Sequence, residues 1–78
     1  MHKGVNRMEG LLSRSVEQKQ KLEMIYLATD GQISQRVIRV LDIRDEEILA
    51  YCYSRRKVRT FLKVNILSIA AVRKQLGA

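Results

Sequence analysis

The sequence predicts a mainly β domain, with one N-terminal helix followed by a five-stranded antiparallel small barrel. Three observations carry this. Apolar residues recur at three- and four-residue spacings before Gln20 and at spacings of two after it. The pair Asp30-Gly31 and two short polar clusters divide the later part into separate apolar runs. The chain of 78 residues has no proline, which leaves little linker. Closing so short a sheet into a barrel removes its unpaired edges.

The elements follow in order. Residues 1–7 are expected to form a loose basic segment. From Met8, the residues Met8, Leu11, Leu12, Ser15, Val16 and Lys19 describe one face of a helix over 8–20. Glu17 stands four residues before Lys21, the favourable order for a helical ion pair. The apolar stripe is narrow, so the helix is expected to lie across the open end of the barrel. LEMIYLA, Leu22–Ala28, is the first strand and ends at the Asp30-Gly31 turn. ISQRVIRVLDI, Ile33–Ile43, is the second, followed by the polar turn Arg44-Asp45-Glu46. EILAYCY, Glu47–Tyr53, is the third, and Ser54–Lys57 is a second polar turn. VRTFLK, Val58–Lys63, and ILSIAAV, Ile66–Val72, complete the set, with a tail over residues 73–78. One domain over 8–72 is the expected organisation.

Composition narrows the function. A chain of this size buries a modest core and leaves no room for a cleft between two lobes. Fifteen basic residues against eight acidic ones give a formal charge of +7, a bias towards anionic partners. No apolar run approaches the ~20 residues that span a bilayer, so no membrane role is expected. The opening MHKGVNRMEG lacks the apolar centre of a signal peptide. A single cysteine, Cys52, excludes an internal disulfide and fits a reducing, cytoplasmic setting. His2 is the only histidine, and neither a Ser-His-Asp set, a Cys-His pair nor a Gly-rich phosphate loop is present. The acids Asp42, Asp45, Glu46 and Glu47 cluster at one turn and read as a solvated group. The expectation is a protein that is not an enzyme and needs no cofactor or metal.

The stretch YCYSRRKVRTF, Tyr51–Phe61, holds three aromatics and four basic residues and no acid. Together with the order of features before it, this block resembles the WYL domain, an SH3-like or Sm-like barrel of bacterial proteins. The resemblance runs over roughly residues 9–72. Its marks are a short helix leading into a Leu22…Tyr26 strand, the Asp-Gly hairpin, the strand RVIRV from Arg36, the strand ILAYC from Ile48, and Arg59-Thr60-Phe61 followed by Asn65-Ile66. Glu46, Glu47 and Ile48 stand where the family has its naming tripeptide, and Val40 stands in place of a proline. Twenty-one residues precede Leu22, too few for the helix-turn-helix unit that usually accompanies such domains. The resemblance therefore implies the barrel alone, binding nucleic acid or a nucleotide-like anion in a regulatory role. Mapped position by position, it selects Tyr26, Arg36, Tyr51, Arg55, Arg59 and Phe61.

The residues themselves support a narrower set. Guanidinium groups present a planar fork suited to phosphate. Arg59 lies inside a strand, so the sheet sets its direction, whereas Arg55 and Arg56 lie in a turn and Lys57 and Lys63 read as solvated charges. Arg36 and Arg39 have opposite parity on one strand, so at most one shares a face with Arg59. Tyr51 and Tyr53 share a face with Cys52 opposite, and Tyr26 offers a further ring for base stacking. Phe61 and Cys52 read as core. The expected ligand-binding set is Arg36, Arg55, Arg59, Tyr51 and Tyr26. The rival expectation is a module with no ligand, pairing with itself or with a partner protein through Met8, Leu11, Leu12 and Val16.

Overall fold

The five strands form one antiparallel sheet in the order β4-β3-β2-β1-β5. The computed structural model describes residues 7–72. Within them lie α1 (Arg7–Gln18), β1 (Leu22–Leu27), β2 (Ile33–Ile43), β3 (Glu47–Cys52), β4 (Lys57–Leu62), a three-residue 3₁₀ turn (Lys63–Asn65) and β5 (Ile66–Ala71). Each expected element is present within two residues of its expected bounds. Apart from Arg7, the segment 1–7 and the tail 73–78 lie outside the described residues.

Local chemistry sets the boundaries. Lys19 takes a left-handed backbone, φ 57°, and ends α1 one residue after Gln18. The β1–β2 turn uses Gly31 at φ 88°, where a side chain would be strained. Its amide donates to the Ala28 carbonyl at 2.9 Å, and the Asp30 carboxylate accepts from the Gln32 amide at 3.0 Å. The β3–β4 loop, Tyr53–Arg56, closes with the Arg56 amide on the Cys52 carbonyl at 2.7 Å. Arg56 itself is left-handed, φ 57°.

The inner face of the sheet carries Leu22 and Met24 of β1, Ile38 and Val40 of β2, Ile48, Ala50 and Cys52 of β3, and Phe61 of β4, all buried. The sheet curls enough to bring its two sides together. The Tyr26 ring on β1 meets the Phe61 ring on β4 edge-on, with centroids 5.0 Å apart. The Tyr26 hydroxyl accepts from the Leu62 amide at 3.0 Å. That amide points away from β3 on an edge strand, so a side chain, rather than a backbone ladder, closes the barrel at this point.

Helix α1 covers one end, as its stripe predicts. Leu12 is fully buried, and Met8 and Leu11 pack on the core. The stripe expected as a partner surface in the rival reading therefore covers the chain's own sheet, with Val16 left partly exposed. Ser15, also fully buried, is placed where the β1–β2 ladder runs out. The register pairs Leu22 with Ile38, so Gln20 and Val40 would face one another next. Instead the Ser15 hydroxyl sits between them, accepting from the Val40 amide at 2.9 Å and donating to the Gln20 carbonyl at 2.6 Å. A polar residue on the helix's apolar face thus satisfies a buried amide and a partly buried carbonyl at once.

Candidate functional site

Strand register decides which basic residues meet. Val40 pairs with Ala50, and Ala50 with Arg59, so Arg59 lies on the inner face. Arg36 shares that face through its parity with Ile38 and Val40, and Arg39 is turned to the other side, opposite Tyr51. Lys57 joins the inner face opposite Cys52.

Arg36 is half-buried and reaches across the interior towards β4. Its guanidinium carbon lies 5.9 Å from the centre of the Phe61 ring. Its Nε donates to the Ser34 hydroxyl at 3.2 Å and its Nη1 to the Cys52 sulfur at 3.7 Å. Arg59 precedes Phe61 by two residues on the same face, about 7 Å along the strand. The Phe61 ring thus has Arg36 over it and Tyr26 packed edge-on against it, and Arg59 lies on the same side of the strand.

The β3–β4 loop folds over Cys52. The Ser54 hydroxyl lies 3.5 Å from its sulfur, and the Arg55 amide donates to it as well. Burial raises the thiol's pKa, but the hydrogen bonds of Ser54, the Arg55 backbone and Arg36, with the charge of Arg36, outweigh burial and hold it below its ordinary value. The surroundings of Cys52 thus favour negative charge.

Charge pairing is unevenly distributed. Among the described residues, ion pairs engage Arg44 with Asp42 and Glu47, and Lys63 with Glu9. Arg36, Arg55, Arg56, Lys57 and Arg59 have no carboxylate partner there. For the exposed side chains this is ordinary. Arg36 and Arg39 are half-buried without a carboxylate, and a charge partly withdrawn from water is usually paired.

Of the five expected ligand residues, Arg36 and Arg59 share the inner face, and Arg55 stands in the loop at one end of it. Tyr51 does not join them. It lies on the outer face between Arg39 and Val58, its ring edge-on to Tyr53 at 5.0 Å. The Lys21 ammonium sits 4.7 Å from the centre of the Tyr53 ring. Tyr26 lies at the inner face, but its hydroxyl and one ring edge are committed to barrel closure. Ser34, Cys52 and Ser54 line the site without having been selected from sequence; they are small residues whose signal is only that they share parity with Arg36 or lie in the loop.

The acids at the β2–β3 turn do not converge on an empty centre, since Asp42 and Glu47 turn onto Arg44. Among the described residues no group of three or more His, Cys, Asp or Glu side chains is placed to hold a metal ion. No helix there is long and apolar enough to cross a membrane. A shallow groove between α1 and β2, lined by Ser13, Val16, Glu17, Asp42 and Ile43, lies apart from the arginines.

Comparison with known proteins locates the fold. Proteasome accessory factor B/C (PafBC) of Arthrobacter aurescens contains a region similar in structure, with a TM-score of 0.76 over 97% of this chain at 15% sequence identity. The chain corresponds to 13% of the length of that protein. No protein-family model matches the chain, and no curated protein matches it. The likeness is one of fold, and it agrees with the WYL-related barrel that the sequence resemblance implies.

Proposed function

We propose that this domain is a non-catalytic binding module whose inner face takes an anionic ligand, a phosphate of nucleic acid or of a nucleotide, in a regulatory role. The observation that carries this is Arg36: a half-buried guanidinium over an aromatic ring, with hydroxyl and thiol neighbours and no carboxylate. A bound phosphate would supply the missing counter-charge, with Arg59 as the second fork and Arg55 at the rim. Phe61 and Tyr26 form the floor. The similar region in a protein named as an accessory factor supports a regulatory reading.

Tyr51 and Tyr53, on the outer face, do not contribute to this pocket. With Arg39 and Lys21 beside them they offer a separate platform on which a longer single strand would stack. The test is binding of single-stranded DNA, single-stranded RNA and free nucleotides by wild type and Arg59→Ala. Weakened binding of any of these by the variant supports the reading. Equal binding by both proteins, or no binding to either at low salt, removes it.

A second reading, a protein-interaction module, draws on β4. Its side chains Val58 and Leu62 are 48% and 39% exposed on the outer face, next to the open edge of the sheet.

A further inference from the structure

Strand β4 is the edge of the sheet, and four consecutive residues, Lys57–Thr60, are exposed. The register shows which backbone groups are spent. The Lys63 amide donates to the Glu46 carbonyl at 2.9 Å, so the alternate residues Lys57, Arg59 and Phe61 face β3. The amides and carbonyls of Val58, Thr60 and Leu62 face outward. The Leu62 amide is capped by Tyr26. Among the described residues, those of Val58 and Thr60 meet no partner. An open row of donors and acceptors is a template for one more strand.

We infer that this edge accepts an extended acidic segment of another protein, added as a sixth strand. Charge selects the occupant. Lys57 and Arg59 project from the inner side of the edge and Arg55 and Arg56 from the loop beside it, while Val58 and Leu62 project from the outer side. A strand alternating acidic and apolar residues would place its acids beside Lys57 and Arg59 and an apolar side chain beside Val58, its ladder ending before Leu62, whose amide Tyr26 holds. A second copy of this chain is the wrong occupant, because antiparallel pairing of β4 with itself would set like charges against one another. The same charges that guard the edge against self-association therefore leave it open to an acidic partner.

This inference does not rest on the anion pocket, and the two separate experimentally. The probe is a short capped peptide of alternating glutamate and valine, measured by fluorescence anisotropy against wild type, Thr60→Pro and Thr60→Ala. The Thr60 amide points outward, a position where an edge strand tolerates proline. The expected result is saturable binding to wild type and Thr60→Ala. Thr60→Pro binds roughly tenfold more weakly, as a lost backbone hydrogen bond and a blocked approach require. Oligonucleotide binding is unchanged by Thr60→Pro, whereas Arg36→Gln weakens oligonucleotide but not peptide. Should Thr60→Pro fail to fold, the peptide N-methylated on the amides that would face β4 replaces it and is expected to bind wild type roughly tenfold more weakly for the same reason. Equal binding of the proline variant, of the N-methylated peptide or of a lysine-valine peptide overturns the inference. So does a wild-type dimer in sedimentation that Thr60→Pro dissolves.

Discussion

The two ends of strand β3 treat polarity in opposite ways. At the end beneath α1, polar groups find partners within the chain. The Ser15 hydroxyl serves two backbone groups, Glu9 meets Lys63 at 3.1 Å, and Arg44 lies between Asp42 at 3.3 Å and Glu47 at 3.2 Å. Both acids raise the pKa of Arg44, the Glu47 hydrogen bond most. At the other end the loop Tyr53–Arg56 and the start of β4 carry Arg55, Arg56, Lys57 and Arg59 without a carboxylate. The loop also holds an arginine in a left-handed backbone, a conformation that favours glycine. One end is finished as structure; the other keeps charge at a cost in stability, which is how binding surfaces are commonly built.

The largest stability effect should come from the finished end. Ser15→Ala leaves the buried Val40 amide and the partly buried Gln20 carbonyl without the Ser15 hydroxyl, at about 1–3 kcal/mol. Total stability for a domain of this size is on the order of 5–10 kcal/mol. Urea unfolding should register the loss, while oligonucleotide affinity of the folded fraction stays the same. The open end should respond in the opposite sense. Arg56→Gly relieves the left-handed backbone and should gain about 1 kcal/mol in the same assay. Its oligonucleotide affinity should fall, and an unchanged affinity would show that the charge of this loop is idle.

Asp42→Asn tests whether the paired turn matters at all. Its carboxylate and the Arg44 side chain are both about half exposed, so urea unfolding should shift very little. The smallest effect is a pH dependence at Cys52. Its folded pKa is lowered, so the thiolate stabilises the fold above the pKa of the unfolded thiol. That contribution disappears as pH falls through the folded value. The unfolding midpoint should rise slightly from neutral towards alkaline pH, and Cys52→Ala should remove the rise.

The architecture was largely legible in the sequence, because the change of period after Gln20 and the Asp30-Gly31 turn report on local backbone alone. The pairing of Arg36 with Arg59 on one face was also within reach. Parity separates Arg36 from Arg39, and the expected loop Ser54–Lys57 has the same length, four residues, as the observed Tyr53–Arg56, one residue earlier. A four-residue loop in either position puts Arg59 on the side of Cys52 and Tyr51 on the other. Closeness in sequence groups Tyr51 with Arg55 and Arg59, and sheet geometry puts it on the face opposite Arg59. The roles of Ser15 and Tyr26 were not legible. Each depends on a partner 25 or 36 residues away, in a ladder gap and an edge amide that exist only after the sheet has curled.

The role proposed for Arg36 is to meet an anion from a half-buried position. Its most direct test is single-stranded oligonucleotide affinity over a salt series, for wild type and Arg36→Gln, with urea unfolding of both. Each neutralised phosphate contributes about −0.7 to the log–log slope. Loss of the Arg36 contact should lower affinity, reduce the slope by about that amount and leave stability equal or higher, because a half-buried charge without a carboxylate has been removed. A variant with the same affinity and slope as wild type, or one that is simply less stable, would mean that Arg36 serves the fold and that the inner face is not a phosphate site.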